Sequence, residues 1–132
     1  MSVEFHTPTT LPPTNGYSHV ASVPSGSRLV WTSGQVPVTA QGVPAAPGDW
    51  ETQTRLAMHN VSEALQAGGA SWTDVFKLTF YVTDTTALDV VRRVRDEFVD
   101  TARPPTSSLV KVAGLFHPDL LIEVEAVAAT AA

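Results

Sequence analysis

The chain has 132 residues, 43% hydrophobic and 16% charged, which fits a single globular domain over residues 1–132 with enough length to bury a core. It contains no cysteine, which excludes disulfides, thiolate catalysis and cysteine-ligated metal. The net charge is −5, from 8 basic and 13 acidic residues without a Lys/Arg run, so there is no footprint for a phosphate backbone and nucleic acid is not an expected partner.

The opening Met-Ser-Val-Glu-Phe-His is neither basic nor strongly apolar, and no run approaches the roughly 18 apolar residues of a membrane span. Neither a signal peptide nor a membrane partner is expected, and the cytoplasm is the expected location. Thr7 to Gly16 is rich in Pro and Thr and resists regular structure. Tyr17–Val23 and Arg28–Ser33 read as the two strands of a hairpin turning at Pro24-Ser25-Gly26-Ser27. Val36 to Gly48, punctuated by Pro and Gly, reads as a long loop, either functional or merely flexible.

Asp49 to Gly68 carries the clearest helical pattern. Asp49 caps it, Glu51 sits in the first turn, and Ala57, Val61, Ala64, Leu65 and Gly68 make an apolar stripe. Asn60 lies beside the stripe, where a structural hydrogen-bonding role is expected. Val75–Val82 reads as a strand, with Phe76, Leu78, Phe80 and Val82 on one face and Lys77, Thr79 and Tyr81 on the other. Asp84 or Thr85 is expected to cap a second helix running to about Asp100 on a stripe of Ala87, Val91, Val94 and Phe98. Pro104-Pro105 forbids its continuation. Two final strands, within Arg103–Leu115 and over Leu121–Ala129, flank a turn at Phe116-His117-Pro118-Asp119.

This order predicts an α+β fold, a mixed sheet with two helices packed on one face. Along the last strand Ile122, Val124, Ala126 and Ala128 point one way; Leu121, Glu123, Glu125 and Val127 point the other. The second face also carries Lys77, Thr79 and Tyr81. It is either a wet sheet surface or the seat of another copy of the chain.

Certain short segments, in this order and spacing, resemble the YjgF/YER057c/UK114 (Rid, reactive intermediate deaminase) family over nearly the whole chain. They are Thr32-Ser33-Gly34-Gln35-Val36-Pro37, Glu51-Thr52-Gln53 with Ala57 and Asn60, and Gly69-Ala70-Ser71 followed by Asp74-Val75 and Lys77. Tyr81-Val82 with Asp84, Pro105, Val110, Val112-Ala113-Gly114-Leu115 and Ile122-Glu123-Val124-Glu125-Ala126 complete the set. The resemblance implies a chorismate-mutase-like fold and a homotrimer with sheets inward, helices outside and small-molecule clefts between neighbouring subunits. It also implies hydrolysis of enamine or imine intermediates of amino acids to a 2-oxo acid and ammonia. No cofactor is implied, and His6, His19, His59 and His117 fall on unrelated elements without metal-ligand spacing.

Such chemistry needs a cation for the substrate carboxylate, best an arginine fork, and a carboxylate or backbone group to hold the attacking water. In the family's deaminases the arginine precedes a Val-x-Val-Ala-x-Leu segment. Counted back from Val110-Lys111-Val112-Ala113-Gly114-Leu115, its place here is taken by Ser107, between Thr106 and Ser108. Losing a bidentate charged contact costs on the order of 2–5 kcal/mol, so the standard 2-imino acid deaminase activity is expected to be weak or absent. By resemblance, Glu123 is the catalytic, water-positioning carboxylate, Tyr17 the aromatic wall, and Ser33 and Gly34 the small polar wall. Leu109, on the strand of Ser107, is a further binding position. The family's helix asparagine falls on Arg92, and Arg92 and Arg103 are the arginines expected within reach as a replacement anchor. The expected function is a Rid-like small-molecule cleft, serving an imine or enamine hydrolase of non-standard specificity. The alternative is a non-enzymatic trimeric metabolite-binding or protein-interaction module. Ribonuclease activity is disfavoured by the acidic charge.

Overall fold

The computed structural model describes residues 2–131. The strands are β1 (Glu4–His6), β2 (Val20–Ser22), β3 (Arg28–Trp31), β4 (Val75–Val82), β5 (Thr106–Lys111) and β6 (Ile122–Thr130). The helices are α1 (Trp50–Ala67), between β3 and β4, and α2 (Leu88–Arg95), between β4 and β5; a 3₁₀ turn, Trp72–Asp74, leads into β4. The main sheet runs β3-β6-β4-β5, with β6 antiparallel to both neighbours and β4 parallel to β5. It is the predicted mixed α+β sheet with two helices on one face, a chorismate-mutase-like arrangement.

The long helix forms where its capping chemistry allows. Asp49 accepts from the Thr52 N–H at 3.0 Å and from the Thr52 hydroxyl at 2.8 Å, giving an acceptor to one of the first-turn N–H donors that the helix itself leaves unpaired. At the other end Gly69, at φ +80°, takes the left-handed conformation, and the Ala70 N–H donates to the Leu65 carbonyl at 2.9 Å. The face turned to the sheet is Gln53, Thr54, Ala57, Met58, Val61 and Leu65, all buried. It packs on Leu78, Phe80, Val82, Ile122, Val124, Ala126 and Ala128 in a single core. Asn60 is half-buried beside it and donates to the Val36 and Val38 carbonyls at 2.9 and 3.1 Å. That bond orders the stretch after β3, together with backbone pairs such as Thr39 N–H to Val43 O.

Four expectations need correction. The hairpin of Tyr17–Val23 with Arg28–Ser33 does not form, although its turn does, with Ser27 N–H donating to Pro24 O. β2 pairs instead with β1, a three-residue strand too short to show a period in the sequence, and β3 pairs with β6. Val30, between exposed Leu29 and Trp31, needs a buried face, and the alternating β6 provides one that the short, largely exposed β2 does not. In β4 a bulge between Val75 and Lys77 puts Val75 in the core and leaves Phe76 half-buried. Finally, α2 begins at Leu88, and Asp84 accepts from the Thr86 N–H at 2.7 Å in a turn of its own rather than capping the helix. The helix also ends at Arg95, short of Asp100, although Val91, Val94 and Val99 are buried.

The sheet face away from the helices carries half-buried Glu123, Glu125, Val127, Thr79 and Tyr81. Around them lie Leu29, Trp31 and Val110, which are 41%, 67% and 45% exposed. No helix among the described residues is long and apolar enough to cross a membrane.

Candidate functional site

The residues proposed for the site fall into two groups, and a single chain does not bring the groups together. The first surrounds a recess of about 300 Å³ between β5, α2 and the segment before β2, lined by Tyr17, Arg92, Ser107 and Leu109 with Asn15, Phe80, Val91 and Arg95. Tyr17 reaches β5 because Ser18 is tied to the diproline ahead of that strand. The Ser18 N–H donates to Pro105 O at 3.1 Å and its hydroxyl to Pro104 O at 2.7 Å, and Ser18 bridges Thr106 in parallel. The Tyr17 ring meets His19 edge-on at 5.8 Å, and His19 is itself fixed to Pro12 O at 2.7 Å. In the β4–β5 register Ser107 stands beside Leu78 and Leu109 beside Phe80. Both therefore share the helix side of the sheet.

Arg95 was absent from the sequence-based site. Its side chain is 7% exposed. Its Nε donates to Asp96 Oδ1 at 2.9 Å and its Nη1 to Asn15 O at 3.1 Å. Its Nη2 lies against Gly16, where any Cβ would collide with it; at φ +78° Gly16 also holds a backbone conformation that other residues avoid. Arg95 lies three residues after Arg92 and four after Val91, so one helix face presents all three to the recess. Arg103 is elsewhere. It donates to Val3 O and covers the Phe5 ring with its guanidinium at 5.3 Å, so it is not available to the recess as a replacement anchor.

The second group is on the opposite face. Glu123 pairs in register with Tyr81, and Glu125 with Thr79. The Tyr81 hydroxyl donates to Glu125 Oε1 in a short hydrogen bond, and this bond, then burial, then the Glu125 and Glu123 charges hold the phenol above its ordinary pKa. Glu123 has no hydrogen-bond partner among the described residues. Burial first, and the Glu125 charge second, raise its carboxyl above the ordinary value of 4.5. The Ser33-Gly34 dipeptide sits beside these acids for a definable reason. Thr32 pairs with Ala126 and Gln35 with Val124, so two residues of this segment stand against the single Glu125, a bulge in which Gly34 makes room for the Glu123 carboxylate. A carboxyl that is raised and unpartnered can take a proton from a bound water.

Glu123, Ser33 and Gly34 thus gather on the open face of the sheet, and Tyr17, Arg92, Arg95, Ser107 and Leu109 around the recess on the helix side. No group of three or more His, Asp or Glu side chains capable of holding a metal is present among the described residues.

Comparison with known proteins agrees with this architecture. A family model described as Endoribonuclease L-PSP matches residues 7–130. TdcF of Escherichia coli (strain K12) is 38% identical over 116 residues, covering 86% of this chain and 88% of that protein. The crystal structure of E. coli TdcF with bound serine matches with a TM-score of 0.71 at 33% identity, over 99% of each chain. The 2-iminobutanoate/2-iminopropanoate deaminase of E. coli (strain K12) is 33% identical over 112 residues, covering 83% of this chain and 85% of that one. The Rid-family protein YyfB of Yersinia pestis matches with a TM-score of 0.84 at 28% identity, over 98% of this chain and 100% of that chain. With a family match over nearly its full length, relatives above 30% identity and the same sheet-and-helix frame, the chain belongs to the Endoribonuclease L-PSP family, the YjgF/Rid group.

Proposed function

We propose that this protein is a homotrimeric hydrolase of imine- or enamine-type metabolites whose specificity differs from that of the family's standard deaminases. The observation that carries the proposal is the division of the site between opposite sheet faces, with an unpartnered carboxyl, Glu123, on the open one. A second copy laid on that face, covering Leu29, Trp31 and Val110, would bring its own Tyr17–Ser107 half against Glu123. Relatives named as imine deaminases support the reaction class, and a relative with bound serine supports a small-molecule ligand.

In the reaction, Glu123 takes a proton from water as the water oxygen attacks the imine carbon. The new C–O bond forms, the nitrogen gains that proton, and the carbinolamine collapses. The C–N bond breaks, the second water hydrogen also passes to nitrogen, and the products are a carbonyl compound and ammonia. The altered specificity rests on Ser107, which offers one neutral hydrogen bond at the β5 position where the resemblance places a charged fork, so a cation for a substrate carboxylate has to come from another element. Ser107 is also the observation favouring the second reading, a cleft that binds a metabolite without turning it over.

The deciding experiment generates imino acids in situ with an amino-acid oxidase and follows ammonia and 2-oxo acid. Acceleration confined to some side-chain classes, and abolished by Glu123→Gln, is the expected result. No acceleration with any imino acid by a folded protein would reject the hydrolase and leave the binding module. The family model's name raises nuclease activity, but a net charge of −5 offers no strip of cations to a phosphate chain.

A further inference from the structure

We propose that the anion-binding element of the cleft is the Arg92–Arg95 pair on α2, and that it takes a single carboxylate from a small ligand. The inference deepens the reading above and rests on it for the identity of the cleft.

Two guanidinium groups line one recess, and no carboxylate does: its remaining walls are the Tyr17 and Phe80 rings, Val91, Leu109, Ser107 and Asn15. Arg95 is 6% exposed. An arginine withdrawn this far from water is costly unless its charge and its donors are met. Asp96, 44% exposed, meets the charge in part through Nε, and the Asn15 carbonyl takes one Nη1 hydrogen. Nη2 has no hydrogen-bond partner among the described residues. Arg92 is half-buried, and its side chain makes neither an ion pair nor a hydrogen bond among them. Neighbouring acids are committed elsewhere or lie outside the recess: Glu97 pairs with Arg55 and Glu51 with Arg55 and Arg93.

The α2 carbonyl end favours cations in its last turn, which helps keep the pair in place but uses none of the guanidinium donors. Two positive charges against the one carboxylate of Asp96 leave a single charge to be matched. A monocarboxylate supplies that charge in a shape that a guanidinium fork binds bidentately. The recess volume of about 300 Å³ is at the low end for ligand sites, and its aromatic and leucine walls fit a short apolar tail. The cation expected on β5 is thus supplied from the helix across the recess.

The test is calorimetric titration of the full-length protein with pyruvate and with its neutral counterpart pyruvamide, at low salt. Wild type is expected to bind pyruvate and to ignore pyruvamide. Arg92→Ala, at a residue with no structural bond, should weaken pyruvate binding about 10- to 100-fold, with Arg92→Lys intermediate. Arg95→Met should do at least as much; because Arg95 also holds the Asn15–Gly16 turn, its fold is checked by circular dichroism and Arg92→Ala carries the test if it fails. The double change Arg92→Asn with Ser107→Arg, which moves the cation to β5, should recover most of the affinity lost in Arg92→Ala. Equal binding of pyruvate and pyruvamide, no pyruvate binding by wild type, or wild-type affinity in Arg92→Ala overturns the proposal. The two readings fail separately. Ammonia release whose KM is untouched by Arg92→Ala rejects the anchor and keeps the hydrolase; pyruvate binding lost in Arg92→Ala without any ammonia release does the reverse.

Discussion

Glu123 is held in a state that suits a base and weakens the fold. Burial and the Glu125 charge raise its pKa, so the folded protein binds this proton more tightly than the unfolded chain does. The stability that accompanies a raised pKa is present below the unfolded value and is lost as pH rises through the folded one. Glu123→Gln, which cannot ionise, is therefore expected to melt above wild type at pH 7, with the two curves converging as pH falls below the ordinary carboxyl value of 4.5. Scanning calorimetry across this range checks it, and a variant less stable than wild type at pH 7 would contradict the assigned cause. Activity should run the other way, with kcat/KM climbing as pH rises through the same group, because only the carboxylate accepts the water proton. Gly34 gives a steric counterpart. A Cβ there would run into the Glu123 carboxylate, so Gly34→Ala should lower kcat about tenfold or more by shifting the base, while thermal stability changes little. Unchanged kcat would mean the carboxylate adapts, or that it is not the base.

Among the elements, α1 does more than cover the sheet. Its buried Gln53 donates to the carbonyls of Ala45, Ala46 and Asp119 at 3.1, 3.3 and 2.8 Å, and accepts from the Leu121 N–H at 2.9 Å. One side chain therefore ties the loop before α1 to the turn leading into β6, the strand of Glu123. Gln53→Ala leaves those polar groups unpaired in a cavity, and a loss of about 2–4 kcal/mol in urea unfolding is expected. A shift under 1 kcal/mol would show that water replaces the amide. The elements also show what a sequence pattern can convey. α1, β4 and β6 were readable because each carries a long run of one period, and their burial follows from it. The partner of β3 was not readable, because a good turn at Pro24–Ser27 says only that the chain reverses, not that its arms pair. The bulge at Phe76 shifts the phase by one residue without leaving a Gly or Pro to mark it. Among the candidate site residues, Glu123, Tyr17 and Ser107 were proposed from flanking motifs. Arg95 could not, because an arginine at a helix end looks like a surface residue until the Asn15–Gly16 turn is seen folded over it.

At the scale of the molecule, an apolar band on the open sheet face belongs to no core within one chain. Leu29, Trp31 and Val110 surround the two glutamates there, and trimerisation over this face is the expected use of them. Light scattering should give the mass of three chains of 14.0 kDa, and Trp31→Glu should shift it to one. A single-chain mass for the wild type at micromolar concentration would end the trimer proposal. The division of the site between sheet faces has a further consequence, best seen by mixing defective proteins. If each cleft takes Glu123 from one subunit and Arg92 from its neighbour, then Glu123→Gln chains, which lack the base, and Arg92→Ala chains, which bind substrate weakly, repair one another when unfolded together and refolded. Random assortment of equal amounts gives about one cleft in four with both halves intact, and so, at substrate well below the KM of the Arg92→Ala protein, about a quarter of wild-type activity from two impaired parents. A site built within a single chain would recover none.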